Sequence, residues 1–387
     1  MDEMSDNERA IRDLAEKVCA GFDDAYWMER DQTGTFPHEF HQAIADAGLL
    51  GVAMPESCGG AGLGICEAAV LMRTISESGA GMTGASSVHM NIFGLQPVVA
   101  FGSAEQQKRM LPPLIAGREK ACFCVTEPDA GLNTTELKTI AERKDGRYAI
   151  SGQKIWISTA QVADKALILA RTTPLPQVER KTDGLSLFYT RLDRSTVEIR
   201  EISKMGRHAV DSNVLFFNDM EVPVEDRIGE EGDGFRMILH GLNPERILIA
   251  AEAVGLGMAA VRRAADYAAE RIVFGRQIGQ NQGIQHPLAK AWMNLEAAAL
   301  MTGRAARLYD RGEPCGVEAN SAKYLAAEAA FKACETAVQT HGGMGYAAEY
   351  HVERYFREAL IPRIAPVSPE LILSYVAEKA LGLPKSY

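Results

Sequence analysis

The sequence lacks the features that mark several large classes of protein. Its 387 residues include seven cysteines but no C-x-x-C pair, and no apolar run approaches the roughly 20 residues that span a bilayer. The first residues are acidic, so they do not form the basic n-region of a signal peptide. Scattered cysteines in a chain of this size predict free thiols. We therefore expect a cytoplasmic protein without an integral membrane segment.

Positive charge is also scarce, with 41 basic against 51 acidic residues and a net charge of −10. This balance disfavours nucleic-acid binding as the main function, because phosphate contacts need concentrated lysine and arginine. It still allows a local basic site for one anionic cofactor. His38 and His41 are three residues apart, whereas the H-E-x-x-H zinc motif needs four. The sequence therefore predicts no metal site.

The hydrophobic pattern divides the chain into three parts. Residues 1–120 show helical spacing, residues 121–232 contain short β-branched and aromatic segments, and residues 233–387 contain long alanine-rich segments. This order predicts an α+β fold. We expect an N-terminal helical domain, a central antiparallel β-barrel-like domain and a C-terminal four-helix bundle.

Within these parts, local signals predict individual elements. Asp145 and Gly146 favour a β-hairpin turn, and Ser368 followed by Pro369 favours the start of a last helix. We expect helices over 38–50, 67–78, 246–271, 285–310 and 318–341, and strands that include 148–150, 154–158, 166–170, 185–189 and 214–217.

Five motifs occur in a fixed order along the chain. They are CVTEPDAG at 124–131, GQKIWIS at 152–158, RIVFGRQ at 271–277, QTHGGMGY at 339–346 and EYHVERYFRE at 349–358. Together and in this order, they resemble the acyl-CoA dehydrogenase family of flavoproteins. The resemblance covers nearly the whole chain, including its three-part layout.

The resemblance implies a homotetramer with one FAD per subunit, bound between the β domain and the C-terminal helices. It implies that Ser158 hydrogen-bonds flavin N5 and that Arg271 reaches the pyrophosphate of a neighbouring subunit's FAD. Glycine at 342 and 343 suits close approach of the backbone to the cofactor. The candidate cofactor-binding residues are Val125, Thr126, Trp156, Ser158, Arg271, Phe274, Gln282, Gln339, Gly342, Gly343 and Ser368.

The reaction that the resemblance implies is α,β-desaturation of an acyl-CoA, with electrons passed to an electron-transferring flavoprotein. Such a reaction needs a base near the substrate α-carbon. In most of the family the base is a glutamate near the C-terminus, at the position that Pro366 occupies here. In the isovaleryl- and long-chain branches it lies on a helix before an arginine. Glu245, followed by Arg246, matches that position and is the candidate catalytic base.

Asn243, Arg246 and Asn133 are the candidate substrate-binding residues, the last because it follows Gly131 where relatives contact CoA. Two alternatives stay open at the level of sequence. One keeps the fold and changes the chemistry to that of a monooxygenase, an oxidase or a CoA-thioester lyase, because proline has no N–H to donate to the thioester carbonyl. The other is a non-catalytic flavin-binding protein.

Overall fold

The N-terminal third of the chain is helical. A computed structural model describes residues 4–93 and 95–386. The helices are α1 Asp6–Cys19, α2 Asp24–Thr33, α3 His38–Asp46, α4 Ile65–Ile75, α5 Gly81–Ile92, α6 Gln96–Phe101 and α7 Ala104–Ile115.

Two predicted helices in this part end earlier than expected. The helix predicted over 38–50 stops at Asp46, and Gly48 turns the chain with a φ of 74° before a short 3₁₀ turn, Leu49–Gly51. The helix predicted over 67–78 is α4, which passes at Ser76 into a π-helical turn, Ser76–Ala80. Glycine permits the positive φ at these points, and the hydrophobic spacing alone does not reveal it.

The middle of the chain forms a mainly antiparallel sheet. Its strands are β1 Ala121–Cys124, β2 Ile140–Lys144, β3 Arg147–Ser158, β4 Lys165–Arg171, β5 Leu185–Arg191, β6 Val197–Glu201, β7 Ser212–Pro223 and β8 Arg227–Ile228. The order across the sheet is β6-β7-β3-β2-β4-β5-β8, and β1 lies parallel to β4.

Strand β3 joins the two segments that were predicted separately at 148–150 and 154–158. Its register against β7 shifts between Ile150 and Gly152 and again between Lys154 and Ile157. Each shift is a bulge that re-aims the side chains next to it. The turn from β2 to β3 contains Asp145 and Gly146, both at positive φ, so the predicted hairpin is confirmed.

The C-terminal part is again helical. Its helices are α8 Gly234–Glu270, α9 Gln282–Asp310, α10 Gly316–His341, α11 Val352–Glu358, α12 Ile361–Ile364 and α13 Pro369–Leu381. A two-stranded hairpin, β9 Ile272–Val273 and β10 Arg276–Gln277, follows α8. The backbone N–H of Leu371 donates to Ser368 Oγ over 3.4 Å, so the predicted start of the last helix is confirmed.

Helix α8 connects all three parts. It packs on α4 and α5 of the N-terminal part, on β5 of the sheet, and on α9 and α10. Small residues allow this close packing, because a Cβ at Gly255 would lie 2.3 Å from the Arg73 carbonyl oxygen. The expected α+β arrangement of helices, sheet and helices is confirmed. None of the helices in the described residues is long and apolar enough to cross a membrane.

Candidate active site

The end of strand β1 is held in place by a buried lysine. Lys154 Nζ donates to the Val125 carbonyl oxygen over 3.0 Å, to Glu127 Oε1 over 2.9 Å and to the Leu169 carbonyl oxygen over 2.8 Å. The Glu127 carboxylate also accepts from the backbone N–H groups of residues 138 and 139. This network fixes the backbone at Val125 and at the half-buried Thr126, whose carbonyl accepts from Ile155 N–H.

Trp156 and Ser158 lie beside this strand end. Trp156 sits at the second register shift, where β3 carries the extra residue. It has a φ of 60°, and 57% of its surface is exposed. A positive φ is uncommon for a bulky residue and marks a constrained position. Ser158 is half-buried, and its Oγ accepts from Arg207 Nη2 over 3.2 Å. Val125, Thr126, Trp156 and Ser158 are therefore brought together.

Glu245 lies on α8 and is half-buried. Among residues 4–93 and 95–386, its carboxylate has no hydrogen-bond or ion-pair partner. Burial raises its pKa and outweighs the opposing effects of His89 and Arg246. The result is a carboxylate that is free to accept a proton and more basic than an ordinary glutamate.

The two substrate candidates on α8 contact each other. Arg246 Nη1 donates to Asn243 Oδ1 over 3.0 Å, whereas Arg246 Nε is buried without a hydrogen-bond partner among the described residues. Arg246 also lines a cavity of about 360 Å³ together with residues of α10, α13 and the C-terminal segment. Asn133 is exposed, and its Oδ1 accepts from Thr135 Oγ1; no hydrogen bond in the described part of the chain joins it to this pair.

The segment before α13 is anchored by a second buried lysine. Lys323 Nζ, on α10, donates to the Val367 carbonyl oxygen over 2.6 Å, next to Pro366 and Ser368. Burial lowers the pKa of Lys323 to about 8, and Arg246 adds to this effect while Glu245 opposes it. Val367 also lines the cavity beside Arg246, so Lys323 lies at the same site.

The remaining cofactor candidates form a separate, exposed group at the far ends of α8 and α10. Arg271 and Phe274 belong to the hairpin region after α8, and Gln282 begins α9. The side chain of Phe274 is fully exposed. Tyr267 stacks on His341 with ring centroids 4.3 Å apart, which brings these helix ends together. Gln339, Gly342 and Gly343 are exposed there as well. No hydrogen bond or ion pair in the described part of the chain joins this group to Ser158.

Sequence reasoning missed several charged residues around the site. His89 on α5 and Glu252 on α8 form a buried pair, with 2.6 Å between Nδ1 and Oε1. Arg207 precedes β7, and Lys323 lies in an alanine-rich helix. A signal for Glu252 is present in the sequence, since a lone carboxylate inside an apolar run is normally paired. It also lies seven residues after Glu245, on the same face of a helix.

The residues present fit a flavin dinucleotide. The exposed Trp156 ring offers an apolar face for a flat ring system. A Cβ at Gly342 or Gly343 would meet no atom within 4 Å, so open space borders the backbone there. The exposed guanidinium of Arg271 suits a pyrophosphate group. No cluster of residues suited to a metal ion occurs in the described ranges.

Known proteins show the same three-part organisation. Models of the acyl-CoA dehydrogenase N-terminal, middle and C-terminal domains match residues 5–118, 122–220 and 232–381. The chain is 35% identical over 395 residues to the acyl-CoA dehydrogenase FadE12 of Mycobacterium tuberculosis, covering 99% of this chain and 98% of that protein. It is 33% identical over 357 residues to the caffeyl-CoA reductase-Etf complex subunit CarC of Acetobacterium woodii, covering 91% of each.

The fold also matches a solved structure over its full length. Butyryl-CoA dehydrogenase from Megasphaera elsdenii superimposes with a TM-score of 0.93 at 29% identity, covering 99% of this chain and 100% of that chain. Matches to all three domain models and to a relative over nearly the whole length show the family. This chain therefore belongs to the acyl-CoA dehydrogenase family, whose members are FAD-dependent oxidoreductases.

Proposed function

We propose that this protein desaturates an acyl-CoA thioester to the trans-2-enoyl-CoA, with Glu245 as the catalytic base. The observation that carries the proposal is the half-buried Glu245 carboxylate without a partner in the described residues and with a raised pKa. A general base needs a free carboxylate whose pKa lies closer to the operating pH. Glu245 takes the α-proton from the substrate on the face that lies away from the flavin.

FAD, when bound between the middle sheet and the C-terminal helices, supplies the acceptor for the hydride that leaves the β-carbon. Val125 and Thr126 would hold the rim of the ring system, and Trp156 would pack against it. Ser158 would present its hydroxyl to the reacting edge. Arg207 orients that hydroxyl, because its guanidinium donates to Ser158 Oγ.

Arg246 and Asn243 bind the CoA portion of the substrate. The cavity beside Arg246 and its buried, unpartnered Nε support this role, because a CoA phosphate or carbonyl oxygen would satisfy that donor. Asn133 is a further CoA contact at the exposed end of the site. Ser368 follows the segment that Lys323 anchors and would lie next to the bound cofactor.

Pro366 marks a difference from relatives that carry the base at this position. A backbone N–H there would help polarise the thioester carbonyl, and proline cannot supply it. Losing one such donor costs about 10²–10³ in rate. An altered reaction in the same fold is therefore the second candidate, and it predicts a bound flavin that acyl-CoA thioesters do not reduce.

The experiment that tests the proposal uses the purified holoenzyme without oxygen. Its visible spectrum is recorded before and after a panel of acyl-CoA thioesters is added. Bleaching of the flavin band by one of them supports the dehydrogenase half-reaction. A flavin band that no thioester bleaches contradicts it and favours the altered chemistry.

An electron-transferring flavoprotein is the proposed electron acceptor. The name of the relative CarC, a subunit of a reductase-Etf complex, supports this choice. We expect the reduced enzyme to be reoxidised faster by an electron-transferring flavoprotein than by dissolved oxygen. Faster reoxidation by oxygen would identify an oxidase instead.

A homotetramer is the proposed assembly, with Arg271 serving the FAD of a neighbouring subunit. The support is the exposed apolar surface near that residue, which includes Ile272, Phe274 and Tyr346, with exposed fractions of 64%, 102% and 89%. Surfaces of this kind mark protein interfaces. Light scattering should give four times 42.1 kDa, and Phe274→Asp should lower both the mass and the FAD content.

The free cysteines support a reducing compartment such as the cytoplasm.

A further inference from the structure

Helix α8 leads from Glu245 to a buried polar wall. Along one face of α8, Glu245 and Ile249 are half-buried, whereas Glu252, one turn beyond Ile249, is completely buried. Seven residues of helix correspond to about 10 Å. His89 on α5 closes this end by pairing with Glu252 Oε1 at 2.6 Å.

This wall contains polar atoms without partners. Glu252 Oε2 and Arg207 Nε are both buried and have no hydrogen-bond partner among the described residues. Arg207 directs its other nitrogen atoms to Ser86 Oγ over 3.1 Å and to Ser158 Oγ over 3.2 Å. It does not reach Glu252 within ion-pair distance, although the two charges influence each other. Buried polar atoms are nearly always paired, so this acceptor and this donor indicate a missing group.

The donor and acceptor together define that group. A hydroxyl donates one hydrogen bond and accepts others, so it can bridge a carboxylate oxygen and a guanidinium N–H. A carboxylate on the substrate is excluded, because the negative charge of Glu252 would repel it. A plain alkyl chain would leave both buried atoms unsatisfied.

We infer that the far end of the acyl subsite holds a hydroxyl group on the acyl chain, between Glu252 Oε2 and Arg207 Nε. The inference rests on the proposed function, which places the reacting carbons of the substrate between the base Glu245 and Ser158. His89 is a positioning residue that fixes the Glu252 carboxylate. The raised pKa of His89 fits this role: burial lowers it, but the carboxylates of Glu252 and Glu245 more than offset that effect.

The test uses the holoenzyme and straight-chain acyl-CoA thioesters of four, six and eight carbons, each with and without a terminal hydroxyl. Equilibrium binding is measured by calorimetry, and flavin bleaching is measured without oxygen. At the chain length that reaches the wall, we expect the hydroxylated thioester to bind at least tenfold more tightly, because a site built to bond a hydroxyl disfavours its absence. The inference would be overturned if, at every chain length, the alkyl thioester bound as tightly as its hydroxylated counterpart or more tightly. That result would indicate that water occupies the position between Glu252 Oε2 and Arg207 Nε.

Variants separate the wall from the rest of the site. His89→Leu combined with Glu252→Leu should abolish the preference for the hydroxyl or reverse it, and Glu252→Gln should weaken it. The matched control, Glu198→Gln on the exposed face of β6, should keep the wild-type preference. Binding of the paired thioesters decides the inference even when none bleaches the flavin, whereas bleaching decides the proposed function. An unchanged preference in the double variant would show that another part of the protein recognises the hydroxyl.

Discussion

Two buried pairs of opposite charge lie within the same site region and differ in how completely they are bonded. Each hydrogen of the Lys154 ammonium can reach one of three acceptors, and the Glu127 carboxylate receives two backbone N–H groups besides. The His89–Glu252 pair leaves Glu252 Oε2 without a partner in the described residues. A buried pair whose polar atoms are all hydrogen-bonded holds the backbone in one conformation. A buried pair that leaves one oxygen unpaired can bind a polar group of a ligand.

The largest effect should come from breaking the complete network. Lys154→Met leaves the Glu127 carboxylate buried without its cation, and such a loss costs about 3–5 kcal/mol of folding free energy. Denaturant unfolding with a fluorescence readout measures this. Lys138→Met, which removes an exposed lysine paired with Asp129, is the control and should leave stability nearly unchanged. Equal stability of both variants would show that the buried pair does not hold the end of β1.

An intermediate effect should appear in the pH dependence of turnover. The Lys323 ammonium holds the Val367 carbonyl, and burial lowers its pKa to about 8. As the pH rises through this value the ammonium loses its proton and its hydrogen bond to the carbonyl weakens, so the rate should fall above it. Lys323→Arg keeps its charge and should shift this loss to higher pH. If turnover fell at the same alkaline pH in the wild-type enzyme and in Lys323→Arg, the fall could not be assigned to Lys323.

The smallest effect on stability should come from replacing the incomplete pair. In the double variant of His89→Leu and Glu252→Leu, both partners are removed together, and apolar side chains of similar size fill the space. Such replacements are often neutral or stabilising, so we expect a change within about 1 kcal/mol. Thermal unfolding of the apoprotein and holoenzyme measures it. A loss as large as that of Lys154→Met would show that the two pairs serve the same structural purpose.

The overall arrangement was predictable because hydrophobic spacing and turn residues act locally. The helical spacing in residues 1–120, the hairpin at Asp145 and the cap at Ser368 each depend on a few neighbours in sequence. The missed details depend on contacts between distant segments or on backbone angles. The π-helical turn at Ser76 and the second bulge at Trp156 are set by packing against other elements.

The candidate site divides in the same way. Motif order brought out Trp156 and Ser158, and the resemblance to the isovaleryl- and long-chain branches brought out Glu245. The structure positions Trp156 and Ser158 together on β3. Arg207 and His89 went unnoticed, because their partners are 49 and 163 residues away in the sequence. The pairing of a buried charge is a property of the folded chain, so a single sequence shows the charge but not its partner.

The most direct test of the central role of Glu245 is the rate of flavin bleaching in Glu245→Gln. Stopped-flow mixing of the oxidised variant with the thioester that reduces the wild-type enzyme should show bleaching slowed by about 10²–10⁴, the usual contribution of a positioned general base. The FAD content and the binding of that thioester should stay unchanged, since glutamine preserves the shape of the side chain. Bleaching at the wild-type rate would contradict the account and would require another group to remove the α-proton.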